Sequence, residues 1–151
     1  MTINRIGWCA AVAIGAAAVT APSAQTPKPP PPLKVSIDVK PGDSPTTLER
    51  NRGGYVPVAI LSTTDFDATT VDVESVRVGP SGEEAEAWKA TTSDANDDRR
   101  PDLVVLVKVA DLQLRCTDTV VKLTAKTQDG VAIEGSEAIK VTGCLTRSTI
   151  D

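Results

Sequence analysis

The chain has 151 residues, 40% of them hydrophobic and 24% charged, enough to bury one sizeable core and hardly two. Its 16 basic and 20 acidic residues leave a net charge of −4 and a pI near 4.9, which argues against nucleic acid or anionic lipid as a partner. Histidine is absent, which excludes Ser-His and Cys-His dyads and argues against a catalytic zinc site.

The N-terminus carries Arg5, then an alanine-rich apolar run from Ile6 to Val19, then small residues at Ala21, Ser23 and Ala24. A basic start, a short apolar stretch and a small-residue exit are the pattern of a cleaved secretory signal, here spanning 1–24. The run is shorter than the ~20 residues that a membrane-crossing helix needs, and no second candidate span follows. A secreted or periplasmic location is expected. Removing the leader takes Cys9 and Trp8 with it and leaves Cys116 and Cys144, which in an oxidising compartment should be bonded to each other. Closing that loop stabilises the fold by roughly 3 kcal/mol on chain-entropy grounds.

Residues 25–33 include the run TPKPPPP, a polyproline II linker with few backbone donors. The domain proper is expected over 34–145, with 146–151 as a tail. Val35, Ile37 and Val39 alternate with polar neighbours, predicting a half-buried strand that ends at Pro41-Gly42. Residues 44–54 form a polar loop, and a second strand covers 55–61, where Pro57 points to an edge or a strand end. Val71 and Val73 alternate in one phase and Val76 and Val78 in the other, so a bulge is expected near Glu74-Ser75. Residues 83–91 suit a short helix or a strand, and the all-β neighbourhood favours a strand.

Leu103-Val104-Val105-Leu106-Val107 lacks polar alternation and is predicted to be a central strand buried on both faces. Strands over 120–125 and 131–133 are joined by Gln128-Asp129-Gly130, a hairpin signal because the Asp-Gly pair tolerates positive φ. A last strand covers 138–141. About seven short strands without a helical period predict an all-β fold, an antiparallel two-layer β-sandwich of immunoglobulin-like type with one disulfide.

One stretch carries candidate chemistry. Asp94, Asn96, Asp98 and Asp102 stand at relative positions 1, 3, 5 and 9, and Arg100 could add its carbonyl. Alternate oxygen-bearing side chains along a loop suit Ca²⁺, which takes 6–8 oxygen ligands. Against this, Arg99 stands where such loops turn sharply on Gly, at about 1 kcal/mol of strain, and Val105 stands where an EF-hand has its bidentate Glu. An Asp/Asn-rich turn neutralised by Arg99 and Arg100 is the other reading, and both stay open.

The opening Ile37-Asp38-Val39-Lys40-Pro41-Gly42, the segments Val56-Pro57-Val58-Ala59-Ile60-Leu61 and Val76-Arg77-Val78-Gly79-Pro80, the Asp94 loop running into Asp102-Leu103, and the Cys116 and Cys144 positions together resemble a recurrent β-module of secreted bacterial proteins. The resemblance spans roughly 35–144. In that module the loop usually runs D-x-N-G-D-G-x-x-D-L, similar to the calcium loops of integrin-type and dockerin-type repeats. Here Asp97 and Arg99 replace its two glycines. The resemblance implies the sandwich, the disulfide and a calcium loop in an accessory extracellular piece, without a definite activity.

The expected function is a secreted, non-catalytic β-sandwich module of extracellular binding or structure, with Ca²⁺ as its cofactor if the loop keeps the metal, and an extracellular protein or glycan as partner. An adhesion or inhibitor factor working through an edge strand is the alternative. A glycoside hydrolase using carboxylates such as Glu83, Glu84 and Glu86 ranks last, since spacing along a chain does not give the separation between carboxyls. Sugar binding calls for exposed aromatics, and beyond the leader only Tyr55, Phe66 and Trp88 exist. Trp88 reads first as an anchor in or at the rim of the core, with a sugar site around it as the lesser alternative.

Overall fold

The computed structural model describes residues 14–20 and 22–145. Most of the expected leader, with Trp8 and Cys9, and the tail 146–151 lie outside the described residues. Residues 14–20 and 22–32 form no helix or strand. Ten strands follow among the described residues: β1 (Leu33–Lys34), β2 (Ile37–Val39), β3 (Thr47–Glu49), β4 (Tyr55–Ile60), β5 (Val71–Gly79), β6 (Ala85–Ser93), β7 (Asp102–Lys108), β8 (Val120–Thr127), β9 (Ala132–Ala138) and β10 (Lys140–Thr142). Short 3-10 turns at Ala68–Thr70 and Val109–Leu112 are the helical elements among the described residues. None is long and apolar enough to cross a membrane.

Eight strands form one sheet in the order β1-β9-β8-β5-β6-β7-β4-β2, and β10 pairs with β3 beside it. The sheet curls because β6 changes partner along its length. Ala85 and Glu86 pair with Val78 and Arg77 of β5, whereas residues from Ala87 onward pair with β7. Val76, Val78, Val121, Leu123 and Ile133 from one half, and Val56, Val58, Ile60, Val105 and Val107 from the other, thereby meet in a single core. Burying each such side chain contributes on the order of 1.5–3 kcal/mol, so the alternation of apolar residues fixes which face of every strand turns inward.

The opposite side of the curl is closed by the N-terminal segment. β1 pairs with β9 and β2 with β4, and the crossing between them is held by Val35 N–H donating to the Glu134 carbonyl and Leu61 N–H donating to the Ser36 carbonyl, both 2.9 Å. The alternation over 35–39 therefore does not mark one strand. Only Ile37–Val39 of it is strand, as β2, while Val35 and Ser36 are the crossing from β1 at the opposite end of the same sheet, and both edges are consequently brief, a protection against edge-to-edge pairing.

The expected bulge in β5 lies between Asp72 and Arg77, and 85–91 of the stretch 83–91 is strand, within β6. The Asp129-Gly130 turn closes the β8–β9 hairpin with Gly130 at φ 84° and its N–H donating to the Thr127 carbonyl at 2.8 Å. Several expectations are corrected. The pairing is not wholly antiparallel, because β1 with β9 and β3 with β10 run parallel. The loop expected over 44–54 contains β3, recruited by β10 after the chain leaves β9. The last strand expected over 138–141 is instead the end of β9 followed by β10, with Ile139 buried between them. β7 turns Leu103, Val105 and Val107 into the core and leaves Val104 and Leu106 only half-buried on the outer face, so it is not buried on both sides. β4 is an internal strand, paired with β7 and β2. Its Pro57 carbonyl accepts from Lys40 N–H at 2.8 Å, just where β2 has ended, so the missing proline donor falls beyond the neighbouring strand.

Cys116, in the segment before β8, is bonded to Cys144, directly after β10, with the Cα atoms 6.0 Å apart. The bridge ties the C-terminal strand pair to the eight-stranded sheet.

Candidate metal centre

The loop connecting β6 to β7 is organised by its own carboxylates. Asp94 accepts from Asp98 N–H at 3.1 Å through Oδ1 and from Arg99 N–H at 2.8 Å through Oδ2. Asn96 Oδ1 accepts from the same Asp98 amide at 3.2 Å, while its Nδ2 donates to Asp98 Oδ2 at 3.2 Å. Asp98 Oδ1 in turn accepts from Arg100 N–H at 2.8 Å. Short Asx side chains bonding amides a few residues ahead are what coil a loop this tightly.

Two non-glycine residues of this loop take left-handed backbone conformations, Asp97 at φ 61° and Arg99 at φ 69°. They are the two positions at which glycine was expected by resemblance. The strain, on the order of 1–2 kcal/mol per residue, is borne because Asp94 and Asn96 hold the intervening amide and the one that follows.

The structure brings Asp94, Asn96 and Asp98 together on the inside of the loop and gives Asp102 a different setting. Asp102, at the start of β7, has no exposed surface. Its Oδ1 accepts from Ser62 N–H and its Oδ2 from Ala95 N–H, each at 2.8 Å. It thus clamps the loop to the chain after β4. Ser62 Oγ completes the junction, donating to the Pro101 carbonyl at 2.7 Å and accepting from Ala68 N–H at 2.9 Å. The Arg100 side chain reaches Thr64 Oγ1 at 3.3 Å and lies 3.8 Å from Asp98 Oδ2. Between residues 62–67 and Arg100-Pro101 lies a cleft of about 370 Å³. On its rim Asp67 caps the first 3-10 turn, and the Thr69 hydroxyl and amide, donating to its Oδ1, hold its carboxyl below the usual range.

Among the described residues, no group of three or more His, Cys, Asp and Glu side chains is arranged to hold a metal ion. Two carboxylates and an amide do converge here, and all are hard oxygen donors of the kind Ca²⁺ takes. Each oxygen that accepts one amide keeps a second lone pair. The residues therefore fit Ca²⁺ in kind, with part of the coordination left to carbonyls and water.

A second feature, the pairing of Trp88 with Tyr55, escaped sequence reasoning. Trp88 does not anchor the core: it is 63% exposed and stacks on Tyr55 with ring centroids 4.6 Å apart and planes at 27°. The signal that could have found it is the spacing of Ala87 and Ala90, both packed against the core, which requires an irregular residue between them. No protein-family model matches the chain, and no curated protein matches it.

Proposed function

We propose that this chain is an exported, non-catalytic β-sandwich module of extracellular binding or structure whose 94–102 loop takes Ca²⁺. The observation that carries the reading is the left-handed backbone at Asp97 and Arg99, the two sharp turns of a calcium loop kept without glycine. The stretch 94–102 holds four carboxylates and two guanidinium groups, a local negative excess for a cation. Asp94, Asn96 and Asp98 are the side-chain ligands in this reading, with the Arg100 carbonyl beside them, and Asp102 holds the loop to the core. When bound, the ion neutralises the converging oxygens and stiffens the β6–β7 connection. So small a set of side-chain donors implies weak binding, in the roughly 10⁻⁴–10⁻³ M range of extracellular modules.

Export is supported by the Cys116–Cys144 bridge, which belongs to oxidising compartments, together with the leader pattern at the N-terminus. Edge-strand capture of a partner finds little backbone to use, since the sheet ends in strands of two and three residues.

Calorimetric titration of chelator-stripped protein with Ca²⁺, alongside Asp98→Ala, tests the reading. Saturable heat that disappears in the variant is the expected result. Absence of heat at millimolar Ca²⁺ would show that the loop is an ion-paired turn.

A further inference from the structure

The outer face of β6, β7 and β4 carries an aromatic pair that the core does not need. Ala87 opposes Val107 and Lys89 opposes Leu106, so Trp88 is the extra residue of a β-bulge. Bulges re-aim side chains, and this one turns an indole out to water while Ala87 and Ala90 keep their places against the core. Tyr55, 45% exposed, is its stacking partner. Two stacked rings left half in water give little burial energy, but they form a rigid amphipathic platform with few rotamers to lose on binding.

Positive charge collects around this platform. Lys108 is the register partner of Tyr55, and Lys89 directly follows Trp88. Arg52 shares with Tyr55 a cavity of about 340 Å³, where Thr47 and Lys40 are also found and Glu49 is the one acidic residue. Among the described residues Lys89, Lys108 and Arg52 make no ion pair, whereas Lys40 is tied to Asp43. This basic collar stands out on a chain of net charge −4.

We propose that this face binds an anionic polysaccharide of the uronic acid class. The flat C–H face of a sugar ring packs on the Trp88–Tyr55 platform, ring carboxylates meet Lys89, Lys108 and Arg52, and hydroxyls find Thr47 and Glu49 in the cavity. An acidic peptide would use the cations but has no flat ring to occupy the platform. The inference rests on the reading of the chain as a non-catalytic extracellular module and supplies its ligand class. The platform lies toward the opposite end of the β6–β7 hairpin from the 94–102 loop, roughly 16 Å along β6 at ~3.3 Å per residue, so binding does not depend on Ca²⁺.

The test is affinity electrophoresis and calorimetry of the full chain, in chelator, with hyaluronan oligosaccharides as the uronate probe, maltooligosaccharides as the neutral probe and polyglutamate as a plain polyanion. Hyaluronan is expected to bind, more weakly as salt rises. Trp88→Ala should weaken it about tenfold without moving the melting temperature, and Lys108→Ala should flatten the salt dependence. Equal binding of maltooligosaccharides overturns the anionic class, and equal binding of polyglutamate overturns the saccharide. Full binding by Trp88→Ala, or no hyaluronan binding at low salt, overturns the face itself. Shortening of the probe on incubation would support the face while overturning the non-catalytic reading, and the chelator keeps every arm independent of the calcium titration.

Discussion

Asp102 joins two segments that are distant in sequence. Its carboxylate receives Ser62 N–H, 40 residues away, in a buried bond and Ala95 N–H in a half-buried one. Removing it strands the buried Ser62 donor and the half-buried Ala95 donor, a buried donor left unpaired costing on the order of 1–3 kcal/mol. Asp102→Ala is therefore expected to destabilise the protein by about 2–4 kcal/mol in chemical denaturation, with or without Ca²⁺. Asp94→Asn, which keeps an acceptor in an exposed loop, should change stability far less. A small loss in Asp102→Ala would show that the clamp is dispensable. The oxygen spacing of 94–102 was legible in the sequence, and so was its tight coil. The distinction between a carboxylate that faces the inside of the loop and one that faces the core was not, because it depends on where Ser62 is carried by β4.

Single elements of this fold serve two partners, and periodicity along a strand does not report that. Alternation at Val35, Ile37 and Val39 gives the faces of the chain, yet the same five residues close both ends of the curled sheet. The closure depends on Gly135 in β9. A Cβ at that position would come within 2.5 Å of Ile37 Cγ2 and 3.0 Å of the Val35 carbonyl oxygen, and the second of these is backbone that cannot swing aside. Gly135→Ala should thus push the crossing segment off β9, at about 1–3 kcal/mol as overpacking does. Hydrogen exchange locates the effect. The amides of Val35 and Leu61, which donate across the crossing, should lose protection, while those of the β8–β9 hairpin keep theirs. Uniform loss of protection would mean that the N-terminal segment is no separate closure but part of one cooperative unit. The same limitation of local pattern hid β3, whose short polar sequence becomes a strand only because β10 arrives beside it.

For the molecule as a whole, the order of assembly places the disulfide at the weakest junction. The core is shared by both halves of the curled sheet and includes β8 and β9, whereas β10 and β3 pair outside it and contribute Leu48 and the partly buried Val141 to its rim. Cys144 directly follows β10, and its bond to Cys116 closes a segment of sequence separation 28 that contains β8, β9 and β10. Opening it restores roughly 3 kcal/mol of chain entropy to the unfolded state, so reduction should lower the melting temperature by roughly 10–20 °C. It should also loosen the molecule locally before it melts. The Arg50 amide donates to the Thr142 carbonyl and the Lys140 amide to the Thr46 carbonyl, and in the reduced protein both should exchange faster well below the transition, ahead of amides in β7 and β8. A Cys116→Ser/Cys144→Ser double variant should reproduce both effects without reductant. An unchanged melt would show that the bridge adds nothing to the sheet, and a lowered melt with no early exchange at Arg50 and Lys140 would mean that the β3–β10 pair unfolds only with the core.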